Sequence, residues 1–210
     1  MNFLINNQET SYLAADSVVF LKTKEAFGGL SNMAAGYPIK INRVPILTSE
    51  ALYQACRFPS LPEVQKLILD AKSPMAAKML GKPHKSHSRT DFGSVNVDIM
   101  RWCLQVKLAQ NYVTFGKLLA STKNKPIVEE SHKDTFWGAV RDKSNPNILR
   151  GRNVLGQLLM ALRQDYLENP NPSELLYIEP LKIPDFNLLG APIAVVDERL
   201  RFQRYLANRR

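Results

Sequence analysis

The chain of 210 residues carries 28 Lys and Arg against 19 Asp and Glu, a formal charge of +9, and 45% of it is hydrophobic. That length and apolar content support an ordinary globular fold whose core needs neither disulfide nor metal, and they exclude a disordered polyelectrolyte. No apolar run approaches the roughly 18 residues of a spanning helix, and Met1–Thr10 lacks the basic flank and apolar stretch of a signal peptide, so a cytoplasmic protein without membrane contact is expected.

In chain order, residues 1–16 are polar and aperiodic and read as an N-terminal arm. Ser17–Lys22 is β-branched and predicts a strand. Phe27–Asn32 is turn-rich, with paired glycines that let backbone approach a ligand closely. Tyr37–Leu47 alternates as a hairpin with Asn42-Arg43 at its turn. Thr48-Ser49 supplies a hydroxyl cap for a helix with Glu50 in its first turn and an apolar stripe of Ala51, Leu52, Ala55 and Cys56. Prolines open two further helices, near residues 62–71 and 74–80. Lys82–Arg89 reads as a basic loop.

Val95–Asn111 is the most periodic helix, with Val97, Met100, Leu104 and Leu108 on one face. Phe115–Ala120 predicts another helix, Pro126–Glu129 a buried strand, and Lys143–Arg152 a mobile loop. Asn153–Leu167 predicts a second strongly periodic helix. Beyond Asn169 the composition changes, and a short strand (Leu175–Ile178) and an Arg-rich helix (Glu198–Leu206) follow. The expected organisation is an arm (1–16), a catalytic domain (17–169) and a C-terminal appendage (170–210). The fold class is α+β, mostly helical with a few short strands.

The positive charge is clustered. From Lys72 to Arg89 the chain holds Lys72, Lys78, Lys82, Lys85 and Arg89, with His84 and His87, and no acid. Arg199, Arg201, Arg204, Arg209 and Arg210 close the chain, offset by Asp197 and Glu198. Such runs suit polyanionic partners, though they also serve as solvated surface. Cys56 and Cys103 fall within apolar helical patterns, and with three histidines and no Cys-x-x-Cys they predict buried thiols in a reducing compartment, no zinc site and no cofactor. No P-loop, dinucleotide-binding glycine pattern, Ser-His-Asp order or His-x-x-x-His helix is present.

Polar residues at element ends, among aromatics, are the remaining signal. Thr48–Phe58 (TSEALYQACRF) resembles the TSE-x-x-Y-Q-A-x-x-F segment of the NADAR family of YbiA-like N-glycosidases. Gly28–Asn42 is similar to that family's Ser-Asn-Phe strand entry, with Met33 where Phe is common. Ser73–Gly81, Arg101–Asn111, Ser121–Ala139 and Gly151–Arg163 match its later segments in order, so the resemblance covers residues 20–163. The residues after Asn169 have no counterpart in it.

The resemblance implies the family's α+β fold and cleavage of an N-glycosidic bond at ribose C1. One branch of the family acts on early riboflavin-pathway intermediates. Another removes ADP-ribose from guanine in nucleic acid, as antitoxin to a DNA-modifying ADP-ribosyltransferase. Leu-Ser-Asn-Met, Leu-Tyr-Gln-Ala-Cys-Arg-Phe-Pro and Phe-Trp-Gly-Ala resemble the second branch more closely. The riboflavin-type pattern has Trp-Gly-Asp where this chain has Ala139. The expected substrate is therefore ADP-ribosylated guanine in DNA, the product ADP-ribose, and the functional partner the toxin; the alternatives are an N-glycosidase of riboflavin-pathway or other ribosylated metabolites and a module that binds ADP-ribose or nucleic acid without turnover.

The chemistry of such a cleavage assigns roles. Oxocarbenium character at C1 calls for a carboxylate, and Glu50 is the first choice. The leaving amine needs a proton from a group within hydrogen-bond reach. Lys22 offers a second route, capturing a ring-opened ribose as a Schiff base if burial favours its neutral form. Tyr53 and Trp137 are expected to stack on bases, Asn32 and Asn153 to bind ribose hydroxyls, and Arg57, Arg89 and Arg152 to clamp a pyrophosphate. Asp91 is expected to orient an arginine or a ribose hydroxyl, and Lys82 and Lys85 to follow a nucleic-acid backbone. Each also has a plain structural use: Glu50 as a dipole-favoured surface acid, Trp137 as core, Asn153 as a cap, Lys22 as a strand-end surface cation.

Overall fold

The computed structural model describes residues 5–169 and 171–209. Met1–Leu4 of the expected arm, Pro170 at the start of the expected appendage, and Arg210 of the terminal Arg cluster lie outside the described residues. In chain order the elements are β1 (Thr10–Leu13), β2 (Val18–Phe20), β3 (Ile39–Ile41), β4 (Val44–Ile46), α1 (Ser49–Cys56), α2 (Pro62–Leu69) and α3 (Pro74–Gly81). There follow α4 (Phe92–Gln110), α5 (Tyr112–Ser121), β5 (Ile127–Ser131), β6 (Ala139–Arg141), β7 (Ile148–Gly151) and α6 (Val154–Glu168). The C-terminal part holds α7 (Pro172–Leu175), β8 (Tyr177–Ile178), β9 (Asn187–Leu188), β10 (Ala191–Pro192), β11 (Val196–Asp197) and α8 (Arg199–Ala207). The fold is α+β, as expected.

Two compact units share these elements: residues 1–31 with 113–169, and residues 32–112 with 170–210. In the first, five strands pair in the order β1-β7-β6-β5-β2 among the described residues. The β2–β5 and β5–β6 pairs are parallel and the β6–β7 and β7–β1 pairs antiparallel. Part of the segment read as an arm is thus the edge strand β1, and Lys143–Arg152, read as a mobile loop, contains β7. These strands are three to four residues long, too short for alternation to declare itself. Val128, Ala139 and Leu149 form an apolar cluster in which none is exposed, with Tyr12, Ala14 and Val19 packed against it.

Two glycines fix close approaches in this unit. A Cβ at Gly28 would run into the backbone of Lys22 and Thr23, so the 3-10 turn Gly28–Leu30 can fold back onto the segment after β2. A Cβ at Gly156 would meet the Ile127 carbonyl and the Asn153 amide, so α6 can lie close to β5.

The second unit is built on α1. The Thr48 hydroxyl accepts from the Ala51 N–H at 3.2 Å and so caps the helix, in agreement with its Thr-Ser-Glu start. All of α1 is buried, and it packs on α2, α3 and α4. The β3–β4 hairpin turns through Asn42 (φ 49°) and Arg43 (φ 67°), the left-handed pair that a two-residue turn of this hand requires. Lys82–His87, read as a loop, is a 3-10 helix continuing α3. The C-terminal residues enter this unit's core with Leu176, Ile178, Phe186, Leu188, Ile193 and Val196.

Candidate functional site

Glu50 stands in the first turn of α1, its N–H donating to the Asn32 carbonyl at 3.1 Å. Its side chain is buried, with 7% exposed, and Oε1 accepts from Gln54 Nε2 at 2.9 Å. Burial raises the carboxyl above its ordinary range, opposed by the Gln54 hydrogen bond and the Lys78 ammonium. The result is a carboxyl that holds its proton more tightly than an exposed glutamate does. Asn32, also buried, fixes the preceding loop: Ser49 Oγ lies 3.2 Å from both its carbonyl and its Oδ1, and its Nδ2 lies 2.6 Å from Met100 Sδ.

Tyr53 follows Glu50 at i+3 on α1, and Arg57, at i+7, is the residue that ends the helix. The Tyr53 ring lies 5.8 Å from that of Phe92, and the Arg57 guanidinium lies 4.4 Å over Phe92. Arg57 Nε donates to Ser88 Oγ at 2.6 Å, and its carbonyl accepts from the Arg89 N–H at 3.0 Å. Arg89 forks onto Asp91, Nε to Oδ1 at 2.5 Å and Nη2 to Oδ2 at 2.9 Å, and Nη2 also reaches the Pro184 carbonyl at 2.7 Å. That pair holds the Asp91 carboxyl below its ordinary range. Asp91 thus orients an arginine, while Arg89, expected to clamp a pyrophosphate, fastens the C-terminal segment. Its Nη1 is buried with no hydrogen-bond partner among the described residues. Asn32, Glu50, Tyr53, Arg57, Arg89 and Asp91 are therefore linked within the second unit. Lys82 and Lys85 are exposed on the 3-10 helix, and the Lys85 carbonyl accepts from the Ser88 hydroxyl at 2.6 Å, which ties its backbone to Arg57.

Lys22, Trp137 and Asn153 belong to the first unit. Lys22 is exposed, so the burial that a Schiff-base route asks of it is not found, and its N–H donates to Glu25 Oε2 at 3.1 Å. Trp137 is half-buried, edge-on to Phe136 with ring centroids 5.0 Å apart, and Asp134 Oδ1 accepts from both backbone N–H groups. Asn153, expected to bind a ribose hydroxyl, is fully buried at φ 49°. Its Oδ1 accepts from the Glu129 N–H at 3.1 Å and its Nδ2 donates to the Ile127 carbonyl at 2.8 Å, so its amide joins α6 to β5. Arg152 lies over the Phe136 ring at 4.5 Å and donates to Asn7 Oδ1 at 2.6 Å.

Sequence reasoning passed over Gln54, Phe92 and Lys107, and counted Lys78 only within the basic run. Gln54 was visible as Glu50's i+4 neighbour and Phe92 as the residue after Asp91. Lys107 is 1% exposed, with Nζ 4.6 Å from the Tyr37 ring centroid, and burial lowers its pKa to about 7. Its signal was a lysine three residues after Leu104 on an apolar face. Cys56 on α1 and Cys103 on α4 are both buried, and burial pushes the Cys103 thiol well up, with the Cys56 thiol adding to the rise. Among the described residues no group of three His, Cys, Asp or Glu is placed to hold a metal, and no helix is long and apolar enough to cross a membrane.

The sequence pattern of the NADAR domain matches residues 19–166. N-glycosidase YbiA of Escherichia coli is 32% identical over 161 residues, 76% of this chain and 95% of its own length. A riboflavin biosynthesis protein of Vibrio vulnificus is 30% identical over 176 residues, 83% of this chain, which spans 45% of that protein's length. The NMR structure of E. coli YbiA superposes with a TM-score of 0.60 at 30% identity, covering 74% of this chain and 90% of that one.

Proposed function

This chain belongs to the NADAR domain family, and from that membership we propose that it is an N-glycosidase that releases ADP-ribose from guanine in DNA, reversing the modification made by a DNA ADP-ribosyltransferase toxin. Hydrolysis of an N-glycosyl bond follows the N-glycosidases it resembles. The observation that carries the reading at the level of the site is Glu50: a buried carboxyl, raised by desolvation, held by Gln54 beside an aromatic and arginine face. As a carboxylate it stabilises the oxocarbenium and activates water; as an acid it returns the proton to the departing guanine amine. Arg57 and Tyr53 serve the diphosphate and the base, and Lys82 and Lys85 the flanking phosphates.

A metabolite reading is favoured by the likeness to the riboflavin biosynthesis protein. Against it, Ala139 is wholly enclosed between Val128 and Leu149, so the chain has no carboxylate at the position where the riboflavin-type pattern places one.

Incubation of the protein with an oligonucleotide bearing ADP-ribosylated guanine, followed by mass analysis, tests the reading. Free ADP-ribose and restored guanine are expected. Release from a ribosylated small metabolite with none from the oligonucleotide overturns the DNA substrate. Borohydride added during turnover tests Lys22: a covalent adduct that is lost in Lys22→Ala marks a Schiff-base intermediate, and full activity of Lys22→Ala removes that route.

A further inference from the structure

Helix α3 has two unlike faces. Ala77 and Gly81, buried, turn inward, and a Cβ at Gly81 would sit 3.2 Å from the Phe58 ring and 3.3 Å from Ile68. The opposite face carries Met75, Lys78, Met79 and Lys82, spaced i, i+3, i+4 and i+7, one stripe of an α-helix. Met75 is 59% and Met79 51% exposed, and both lysines are exposed. Lys85 lies three residues further on, in the 3-10 helix where i and i+3 eclipse, so the row of ammoniums continues. No acid occurs between Asp70 and Asp91. None of the four stripe residues makes an ion pair among the described residues.

Exposed thioethers are adaptable apolar contacts that favour flat aromatic rings, and methionine is over-used at adaptable binding surfaces. Lysine ammoniums set between them match a phosphate chain as point charges. The stripe is continuous with the candidate site, because α3 packs on α1 and the Lys78 charge is felt by the Glu50 carboxyl. From residue 75 to 82 the helix rises about 10 Å, the span of a few nucleotides.

We propose that the outer face of α3 receives single-stranded nucleic acid flanking the modified base, with Met75 and Met79 against base faces and Lys78 and Lys82 on phosphates. This inference rests on the nucleic-acid reading above and adds the strand's location and the residues that take its bases. A duplex fits less well, because stacked and paired bases do not offer their faces to a thioether.

Fluorescence anisotropy of the full chain with an unmodified, labelled oligothymidylate of twelve nucleotides tests it, since binding is then read without any turnover. The protein is expected to bind, less tightly as salt rises. Lys78→Gln with Lys82→Gln should flatten the log–log salt slope by about 1.4, two charges at 0.7 each. Met75→Gln with Met79→Gln should weaken binding about fivefold or more at unchanged slope, the scale of two sulfur–ring contacts. All four side chains are exposed, so the variants keep the fold, which circular dichroism verifies. Binding with these two signatures supports the inference even where no ADP-ribose is released, an outcome that removes only the substrate reading. No binding to the oligonucleotide, parent-like binding in both variants, or preference for anionic phosphatidylserine vesicles overturns it, even where ADP-ribose release succeeds.

Discussion

The Glu50 carboxyl is held above its ordinary value by burial, so the folded protein binds its proton more tightly than the unfolded chain. Stability from this group is complete below the ordinary carboxylate pKa and is lost as pH rises through the raised one. Glu50→Gln keeps an acceptor for Gln54 and removes that loss. It should therefore melt at least as high as the parent at pH 7, while turnover falls on the order of 10²-fold or more; thermal unfolding and ADP-ribose release check the two halves. Lys107 has the opposite sign. With its pKa lowered to about 7, the unfolded chain holds the extra proton between that value and the ordinary 10.5, so stability rises with pH across that window. Urea midpoints at pH 7 and 9 should show this rise in the parent and a flatter response in Lys107→Met. Tyr37 and Cys103, both raised by burial, act in the opposite sense, because the unfolded chain gives up their protons first; Lys107→Met leaves both in place and so isolates the lysine. Glu50 was legible because a hydroxyl cap and a first-turn acid are adjacent in sequence; Lys107 was not, because its burial comes from the segments folded over it.

Among the elements, those specified locally were the legible ones. The hairpin at Asn42-Arg43 and helices α1 to α6 depend on caps, prolines and periodicity that a short window contains. Strand β1 depends on a pairing such as Thr10 with Gly151 that no short window contains, and β6 and β7 are three and four residues long, too short to show alternation. Arg89 was read as an anion clamp for the same reason: its partner at Pro184 is 95 residues away. Arg89→Lys keeps a charge but loses the planar fork onto Asp91 and Pro184. It should cost about 1.5–3 kcal/mol, the usual worth of a hydrogen bond to a charged group, read as a shift in urea midpoint. Substrate affinity, read as KM for ADP-ribose release, should change little.

At the scale of the molecule, the C-terminal residues lie beyond the NADAR match at 19–166, yet they group with residues 32–112. Trp102 Nε1 donates to the Glu179 carbonyl at 2.9 Å. Gln65, fully buried, donates to the Ala55 and Asn187 carbonyls and accepts from the Leu189 N–H. Asn42 bonds both Pro192 and Ala194. Ending the chain after Asn169 would strip these partners and six core side chains from α1, α2 and α4. The shortened protein is expected to lose cooperative unfolding by circular dichroism; a truncated chain that unfolds as sharply as the parent would show that the segment is dispensable. The sequence located the change of composition near Asn169, but a composition shift says where a segment begins and nothing of what it packs against. The Arg cluster at its end is also less free than its count suggests, since Arg199 pairs with Asp197 and Arg201 with Glu198.

The two buried thiols, one on α1 and one on α4, give this protein a built-in clock. Neither is open to solvent, and Cys103 resists ionisation in place, so a thiol-specific reagent reaches them only when the two helices part. The labelling rate of the resting protein then counts those partings directly, with no denaturant and no engineered probe. Because Glu50 and Cys56 share one helix, a ligand that settles on Glu50 should lengthen the interval between them. Ligands could therefore be ranked by how long they keep a colourless thiol reagent colourless, before any bond has been broken.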